Sequence, residues 1–509
     1  MTVPAARPSV VIPEVLAEDR FLWQFWINKG MKPEPLALSM AALTAPGAFT
    51  NWDYIAGNAL YGGFEEDVLR ALRTAPAGPG GARGGVPSDF LERFARDVTG
   101  SRRPVTPGTP EGRLLVLCAS PRMTTSDEAE AAALAAGRLE WEALVAAAAR
   151  GNLTAAVQHN LSRLELDTKM PRALADVLSA RARGIAARNG RLVQLVNEMV
   201  AVLGGEAIRP LLLKESALAF SHYGNGRLRM MGDIDLLMQA DEIDRVVALL
   251  EARGYESAEV LWTKRHYKES HHHAAPLVRA DLAVKIEPHH AIALPGLPAD
   301  RTMSTADLVS TMASRAVRLD AKSWCFTPAD TLLHLCLDLF GGAFLGKVGQ
   351  ACDAREVVRQ GGVDWPLLES TAASIAAQAH LAFSLRLLAD LDAPVPPEVI
   401  SRLAAARRAP FDARRLRRIA ERNLFGYVRS RAKLSREGEK LVFSTLMQPG
   451  GLLGRVSFLF RTYFYVGRTD QEVGELARSA RPSTGQAVGR MLTLPWRVFR
   501  RWTSSRRMP

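Results

Sequence analysis

The apolar positions of this chain change period along its length. Near the start, Phe21, Leu22, Phe25 and Trp26 fall on one helical face, the kind of face that meets a core or a partner. From about residue 114 to 203 the pattern is helical and rich in Ala and Leu, with Trp141, Leu144 and Val145 at helical spacing and Gly151-Asn152 as a stop. Then the period shortens. Pro210-Leu-Leu-Leu-Lys214 reads as a buried strand, residues 215–222 as a helix, and Asp233-Ile-Asp-Leu-Leu-Met238 as a strand alternating polar and apolar. Asp241 opens a helix whose stripe is Ile243, Val246, Val247 and Leu250 and whose end is Gly254. Residues 281–287 are a further strand, and after about residue 327 the helical period returns up to the tail. No repeat of solenoid period is present.

Two breaks divide this pattern. Residues 74–87 are mostly Gly, Pro and Ala and cannot hold a helix or a strand, and residues 101–110 carry three prolines after one short helical stretch. The expected organisation is an N-terminal helical appendage (1–72), a flexible Gly/Pro-rich linker region (73–112), a helical region (113–204), a core (205–300), a helical C-terminal half (301–400) and a basic tail interleaved with aromatic residues (401–509). The predicted fold class is α/β in the α+β sense: a small mixed sheet embedded between helical regions.

Composition narrows the class. With 48% apolar, 23% charged and 7% aromatic residues the chain is globular rather than disordered. Its longest apolar stretches are interrupted by Asn197 and Glu198 in one and by His334 and Asp338 in the other, short of the ~20 clean residues of a membrane span. Early acids (Glu14, Glu18, Asp19) stand where a leader would have a basic region, so the cytoplasm is the expected location. Cys118, Cys325, Cys336 and Cys352 are too widely spaced for a disulfide framework or a zinc site and are expected as buried thiols. The net charge of +12 hides an asymmetry: from Arg402 onward there are 24 Lys/Arg against 7 Asp/Glu, so the preceding 401 residues are net negative.

Candidate chemistry sits on the short-period segment. In a strand, residues two apart share a face, so Asp233 and Asp235 project together, a DxD pair. Paired carboxylates raise one another's pKa unless a cation offsets them, and hard oxygen ligands suit Mg²⁺ or Mn²⁺. Lys214 ends the preceding strand, Arg227 and Arg229 stand just ahead of the acids, and Glu287 ends the later strand Val-Lys-Ile-Glu. Three carboxylates on adjoining strands with Lys and Arg nearby are what metal-assisted nucleotidyl transfer requires, with Glu287 as base or as a ligand to a second metal. Against that stand plainer readings: Lys214 as an exposed strand-end lysine, and Arg229 as an ion-pair partner of Asp233 or Asp235.

The run Leu213-Lys-Glu-Ser-Ala-Leu-Ala219, then Tyr223, Arg229-Met-Met-Gly-Asp-Ile-Asp-Leu-Leu237, Gly254-Tyr255, His272-His273-Ala-Ala-Pro-Leu277 and Ile286-Glu-Pro-His289 resembles the uncharacterised nucleotidyltransferase family of the polymerase-β-like superfold. The later Thr327-Pro-Ala-Asp-Thr-Leu-Leu-His-Leu335, Asp353 and Asp364-Trp365 resemble that family's helical C-terminal half, so the likeness covers about residues 112–445. It implies Asp233, Asp235 and Glu287 as metal-binding catalytic acids, and Lys214 and Arg229 as nucleotide contacts with Ser216 supplying a hydroxyl. It also implies an NTP substrate, ATP first among them, and a hydroxyl acceptor the sequence does not identify. Glu215 stands where the family has Gly after the lysine. A carboxylate pointing into the cleft against Asp233 would favour a nucleotide-binding scaffold without turnover, docked through its helical halves and basic tail; one turned to solvent would weaken that objection to catalysis.

Six of the ten histidines (His266, His271, His272, His273, His289, His290) lie within 25 residues. They suit a metal role, substrate or phosphate contacts for His273 or His289, or plain structural positions. In the tail, Arg414, Arg415, Arg417 and Arg418 read as a solvated helix face. Beyond them, Leu452 to Tyr465 and Trp496 to Trp502 interleave aromatic residues with arginines, a pattern for peripheral contact with the inner face of an anionic membrane or another polyanion. Nucleic acid is less favoured, because no RNA or DNA motif accompanies the charge.

Overall fold

A computed structural model describes residues 16–26, 40–43, 45, 50–62, 65–74, 86–99, 105–224, 226–258, 272–292, 305–320, 322–406 and 413–425. It is a mixed α/β protein, mostly helical, with one seven-stranded sheet among the described residues. Helices α1 (Ala17–Trp26), α2 (Trp52–Gly62), α3 (Glu65–Thr74) and α4 (Ser88–Thr99) lie ahead of residue 100. The long helical run that follows is cut by its own punctuation into α5 (Pro110–Cys118), α6 (Thr125–Ala136), α7 (Trp141–Arg150), α8 (Thr154–Arg163) and α9 (Arg172–Gly205). Thr109 caps α5 by accepting the Gly112 N–H, with Pro110 at the first position where no N–H is needed. Thr124 and Asp127 close a capping box on α6, and Asn152 ends the α7 turn at φ +59°.

At 34 residues, α9 is roughly 50 Å long and acts as a spine. Its first turns place Val177 and Leu178 in the large helical core, its middle places Ile185 in the core of the N-terminal helices, and its last turns place Leu192, Leu195, Val196 and Met199 under the sheet. The segment expected as an appendage therefore shares packing with the rest: Phe21, Leu22 and Tyr54 lie in one cluster with Ile185 and Met230. The side chains of Phe25 and Trp26 lie outside the described residues.

The sheet strands are β1 (Leu211–Leu212), β2 (Ile234–Leu237), β3 (Glu256–Ser257), β4 (Leu277–Arg279), β5 (Val284–His289), β6 (Val317–Arg318) and β7 (Trp324–Cys325), in spatial order β3-β4-β5-β2-β1-β7-β6. Two pairings are parallel, β2 with β5 and β1 with β7, and the rest are antiparallel. Helices α10 (Lys214–Ser221) and α11 (Ile243–Glu251) follow β1 and β2. The strand expected over 281–287 is shifted. Residues 280–282 form a 3₁₀ turn closed by Ala283 at φ +47°, because β4 folds back on β5 with Leu277 opposite Ile286 and the chain between them has to reverse. Strands β3, β4, β6 and β7 are two or three residues long, too short for an alternation to register in the sequence.

The helical half then follows: α12 (Thr305–Ser314), α13 (Pro328–Gly341), α14 (Val348–Arg359), α15 (Trp365–Ser374), α16 (Gln378–Ala389), α17 (Pro397–Ala406) and α18 (Ala413–Phe425). Thr327 and Asp364, each followed closely by proline, cap α13 and α15. Helix α18 buries Leu416, Ala420 and Leu424, while Arg417 on its outer side pairs with Asp390 and Glu421 at 2.7 Å each. The side chains of Arg414 and Arg415, the aromatic-arginine stretches after residue 425, His266 and His271 lie outside the described residues. Cys118, Cys325, Cys336 and Cys352 are buried free thiols. No helix among the described residues is long and apolar enough to cross a membrane.

Candidate active site

The site follows from two strands in register. In the parallel β2–β5 pair, Asp235 lies opposite Glu287 and Leu237 opposite His289. Ile234, Leu236, Val284 and Ile286 belong to the core packed with α9 and α11. Side chains alternate between faces, so Asp233, Asp235, Lys285, Glu287 and His289 stand together on the other face. Just ahead of β4, residues 272–274 run beside β5, with His273 bridged to His289, and this draws the imidazoles of His272, His273 and His289 to ring centroids 4.7–5.1 Å apart.

The charges interlock. Lys214 Nζ lies 2.9 Å from Asp235 Oδ1, and His289 Nε2 lies 2.8 Å from the same oxygen. Lys285 Nζ lies 2.7 Å from Asp233 Oδ2 and 2.6 Å from Glu287 Oε1. His273 Nε2 is 3.8 Å from Glu287 Oε2. Lys214 reaches Asp235 from a left-handed backbone, φ +46°, at the point where β1 turns directly into α10. For a residue with a Cβ this conformation carries about 1–3 kcal/mol of strain, which the surrounding structure has to hold.

Burial pushes every carboxyl here up, and the cations decide the outcome. For Asp235, Lys214 and His289 outweigh burial and hold it well below the usual carboxylate range. For Glu287, Lys285 and the neighbouring imidazoles do the same. Asp233 stays raised, because burial and the adjacent Asp235 and Glu287 exceed the pull of Lys285. Burial holds the imidazoles of His272 and His273 down to about 2 and about 4, so both are neutral near pH 7. Burial and Lys214 push His289 down too, but Asp235 and Glu287 overcome them and leave it raised.

A metal ion fits this cluster. Asp235, Glu287 and His289 each offer a ligand atom, all within 4.8 Å of one another. The buried Asp235 Oδ2 and His289 Nδ1 have no hydrogen-bond partner, an expensive arrangement unless a ligand completes it. Asp233 is not part of this triad; it faces Lys285.

Two other expected contacts lie elsewhere. Ser216 is fully buried, its hydroxyl accepting the Asp235 N–H at 3.1 Å and donating to the Asp233 carbonyl at 3.3 Å, so it braces the start of β2. Arg229 is 2% exposed and forks onto Asp353 (Nε 2.9 Å, Nη2 2.8 Å), with Nη2 also 2.8 Å from Glu215 Oε1. Its ion pairs are therefore with Asp353 and Glu215 rather than with Asp233 or Asp235. Glu215, the departure from the family pattern, is turned toward this buried arginine.

Sequence reasoning missed Lys285 and Asp338. Lys285 was legible: it stands two residues before Glu287 and so shares its face. Asp338, on α13, is held ionised by Lys347 and Lys214 and in turn raises Lys214, and nothing in the linear pattern joins it to the acids.

A mixed sheet that presents acids side by side on adjacent strands, with lysines over them, is consistent with a nucleotidyltransferase-type domain. The chain belongs to the uncharacterised nucleotidyltransferase family, whose defining sequence pattern matches residues 137–392. The match is narrower at both ends than the likeness first suggested. No curated protein and no solved structure matches the chain.

Proposed function

We propose that this protein transfers a nucleoside monophosphate from an NTP, ATP first among the candidates, to a hydroxyl acceptor with release of pyrophosphate, using Mg²⁺ or Mn²⁺. The observation that carries this reading is the Asp235–Glu287–His289 triad with its unpartnered Asp235 Oδ2, in a chain of this family. Asp235, Glu287 and His289 would hold the ion. When bound, it supplies Lewis-acid stabilisation of the charge that develops on the α-phosphate.

The residues then divide the work. The acceptor oxygen forms the new bond to the α-phosphorus, the bond from that phosphorus to the bridging oxygen breaks, and pyrophosphate leaves with the electron pair. Lys214 and Lys285, both held protonated by the surrounding acids, offset the phosphate charge. Asp233, the carboxyl of the three that is raised, is the better proton acceptor for the hydroxyl, whereas Glu287 stays ionised and serves the ion. Glu215 is engaged by Arg229 rather than facing Asp233, which supports turnover over a scaffold without it. Membrane or polyanion contact through the tail stays part of the proposal, independent of the site.

The test is incubation of purified protein with each α-³²P-labelled NTP and Mg²⁺ or Mn²⁺ in cell extract, beside Asp235→Ala. Label on an acceptor only with Asp235 intact supports transfer. No label in any combination counts against it.

A further inference from the structure

Three carboxylates face one another across β2 and β5, yet they do not form one basin. Asp235, Glu287 and His289 each bring a ligand atom within 4.8 Å of the others, and Asp235 Oδ2 is left without a partner. Between Asp233 and Glu287 the space is filled: Lys285 Nζ lies 2.7 Å from one and 2.6 Å from the other. An ion shared by those two carboxylates would have to sit where this ammonium sits. Two-metal sites place their ions roughly 3.5–4 Å apart on shared carboxylates, and here Glu287 is the shared one, with Oε1 on Lys285 and Oε2 turned toward His273 and His289. The strand sets Lys285 on the same face as Glu287, two residues away along β5, and its ammonium is held between the two carboxylates.

We propose that Lys285 is a built-in second cation: the site takes one divalent ion, at Asp235, Glu287 and His289, and the lysine ammonium does between Asp233 and Glu287 what a second ion would do. This rests on the nucleotidyltransferase reading for its purpose, but not for its test. In the proposed reaction Lys285 neutralises phosphate oxygens on one side while the ion does so on the other, and Asp233 remains free of metal to receive a proton.

The experiment counts Mn²⁺ bound to the full-length, chelator-stripped chain by electron paramagnetic resonance, with Mn²⁺ alone and no nucleotide. Wild type is expected to bind one ion per chain, Asp235→Ala none, and Asp233→Asn one. Lys285→Met, checked for folding by circular dichroism, is expected to bind two. Zero or two ions in wild type, loss of the ion in Asp233→Asn, or a folded Lys285→Met that still binds one would overturn the proposal. If Lys285→Met does not fold, the wild-type and Asp233→Asn counts decide the matter. Absence of nucleotidyl transfer would leave these counts unchanged and sink only the function, whereas transfer by a wild-type protein carrying two bound Mn²⁺ would sink only the role of Lys285.

Discussion

Two buried charged clusters sit within a few residues of each other in sequence and are built in opposite ways. Around Arg229 every guanidinium nitrogen has a partner: Asp353 takes Nε and Nη2, Glu215 takes Nη2, and the Met230 carbonyl takes Nη1 at 3.1 Å. Around Asp235 there are two lysines, three carboxylates and three imidazoles, and still Asp235 Oδ2, His272 Nδ1 and His289 Nδ1 are left over. A saturated cluster has no capacity left for a ligand, so its work is architectural: Arg229 ties the segment leading into β2 to helix α14. An unsaturated cluster is costly to keep apart from water and is explained by what it binds.

The largest effect that could break this contrast is on stability. Arg229→Met leaves Asp353 and Glu215 without their cation, and loss of about 3–5 kcal/mol in urea denaturation is expected. Unchanged stability with weakened nucleotide binding would place Arg229 in the site instead. Next, Asp235→Ala should lower metal-dependent transfer by at least ~100-fold while destabilising the fold less than Arg229→Met does. A larger stability loss than that of Arg229→Met, with transfer retained, would reverse the two roles.

The third test uses pH. His334, buried on α13, is held down to about 3 by burial and Lys214, below its ordinary 6.5. Its folded pKa is depressed, so between those values the unfolded chain binds the proton that the folded chain refuses, and stability falls as pH drops below about 6.5. One such imidazole contributes up to about 1.4 kcal/mol per pH unit. The urea midpoint of His334→Gln should therefore decline less steeply than that of wild type between pH 6.5 and 4. Parallel curves would show that the imidazole is not kept neutral by its surroundings. The smallest effect is expected from Glu215→Gly, which removes a half-buried partner while Asp353 still holds Arg229: about 1–2 kcal/mol of stability, with transfer unchanged within a few-fold. A marked rise in transfer would mean that Glu215 obstructs the nucleotide after all.

Much of this was written in the chain. The period-two alternation around Asp233 and Asp235 and the acid before His289 placed carboxylates on strand faces, because alternation acts over a few residues and depends on little else. The short strands β3, β4, β6 and β7 were not legible for the converse reason: two or three residues carry no period, and they become strands only because a neighbour offers hydrogen bonds. Ser216 and Arg229 were expected as nucleotide contacts from type and spacing, which say nothing about burial; the fold buries both, the hydroxyl against the backbone of β2 and the guanidinium against Asp353 and Glu215.

The sequence by itself determined which residues could do chemistry and that Asp233 and Asp235 would share a face, since a strand's geometry is local. Only the tertiary structure decided that Asp235 meets Glu287 and His289 while Asp233 meets Lys285, and that Glu215 closes on Arg229 and Asp353. Those pairings depend on the register between strands some fifty residues apart and on a helix more than a hundred residues away, and registers are set by the packing of the opposite, apolar faces.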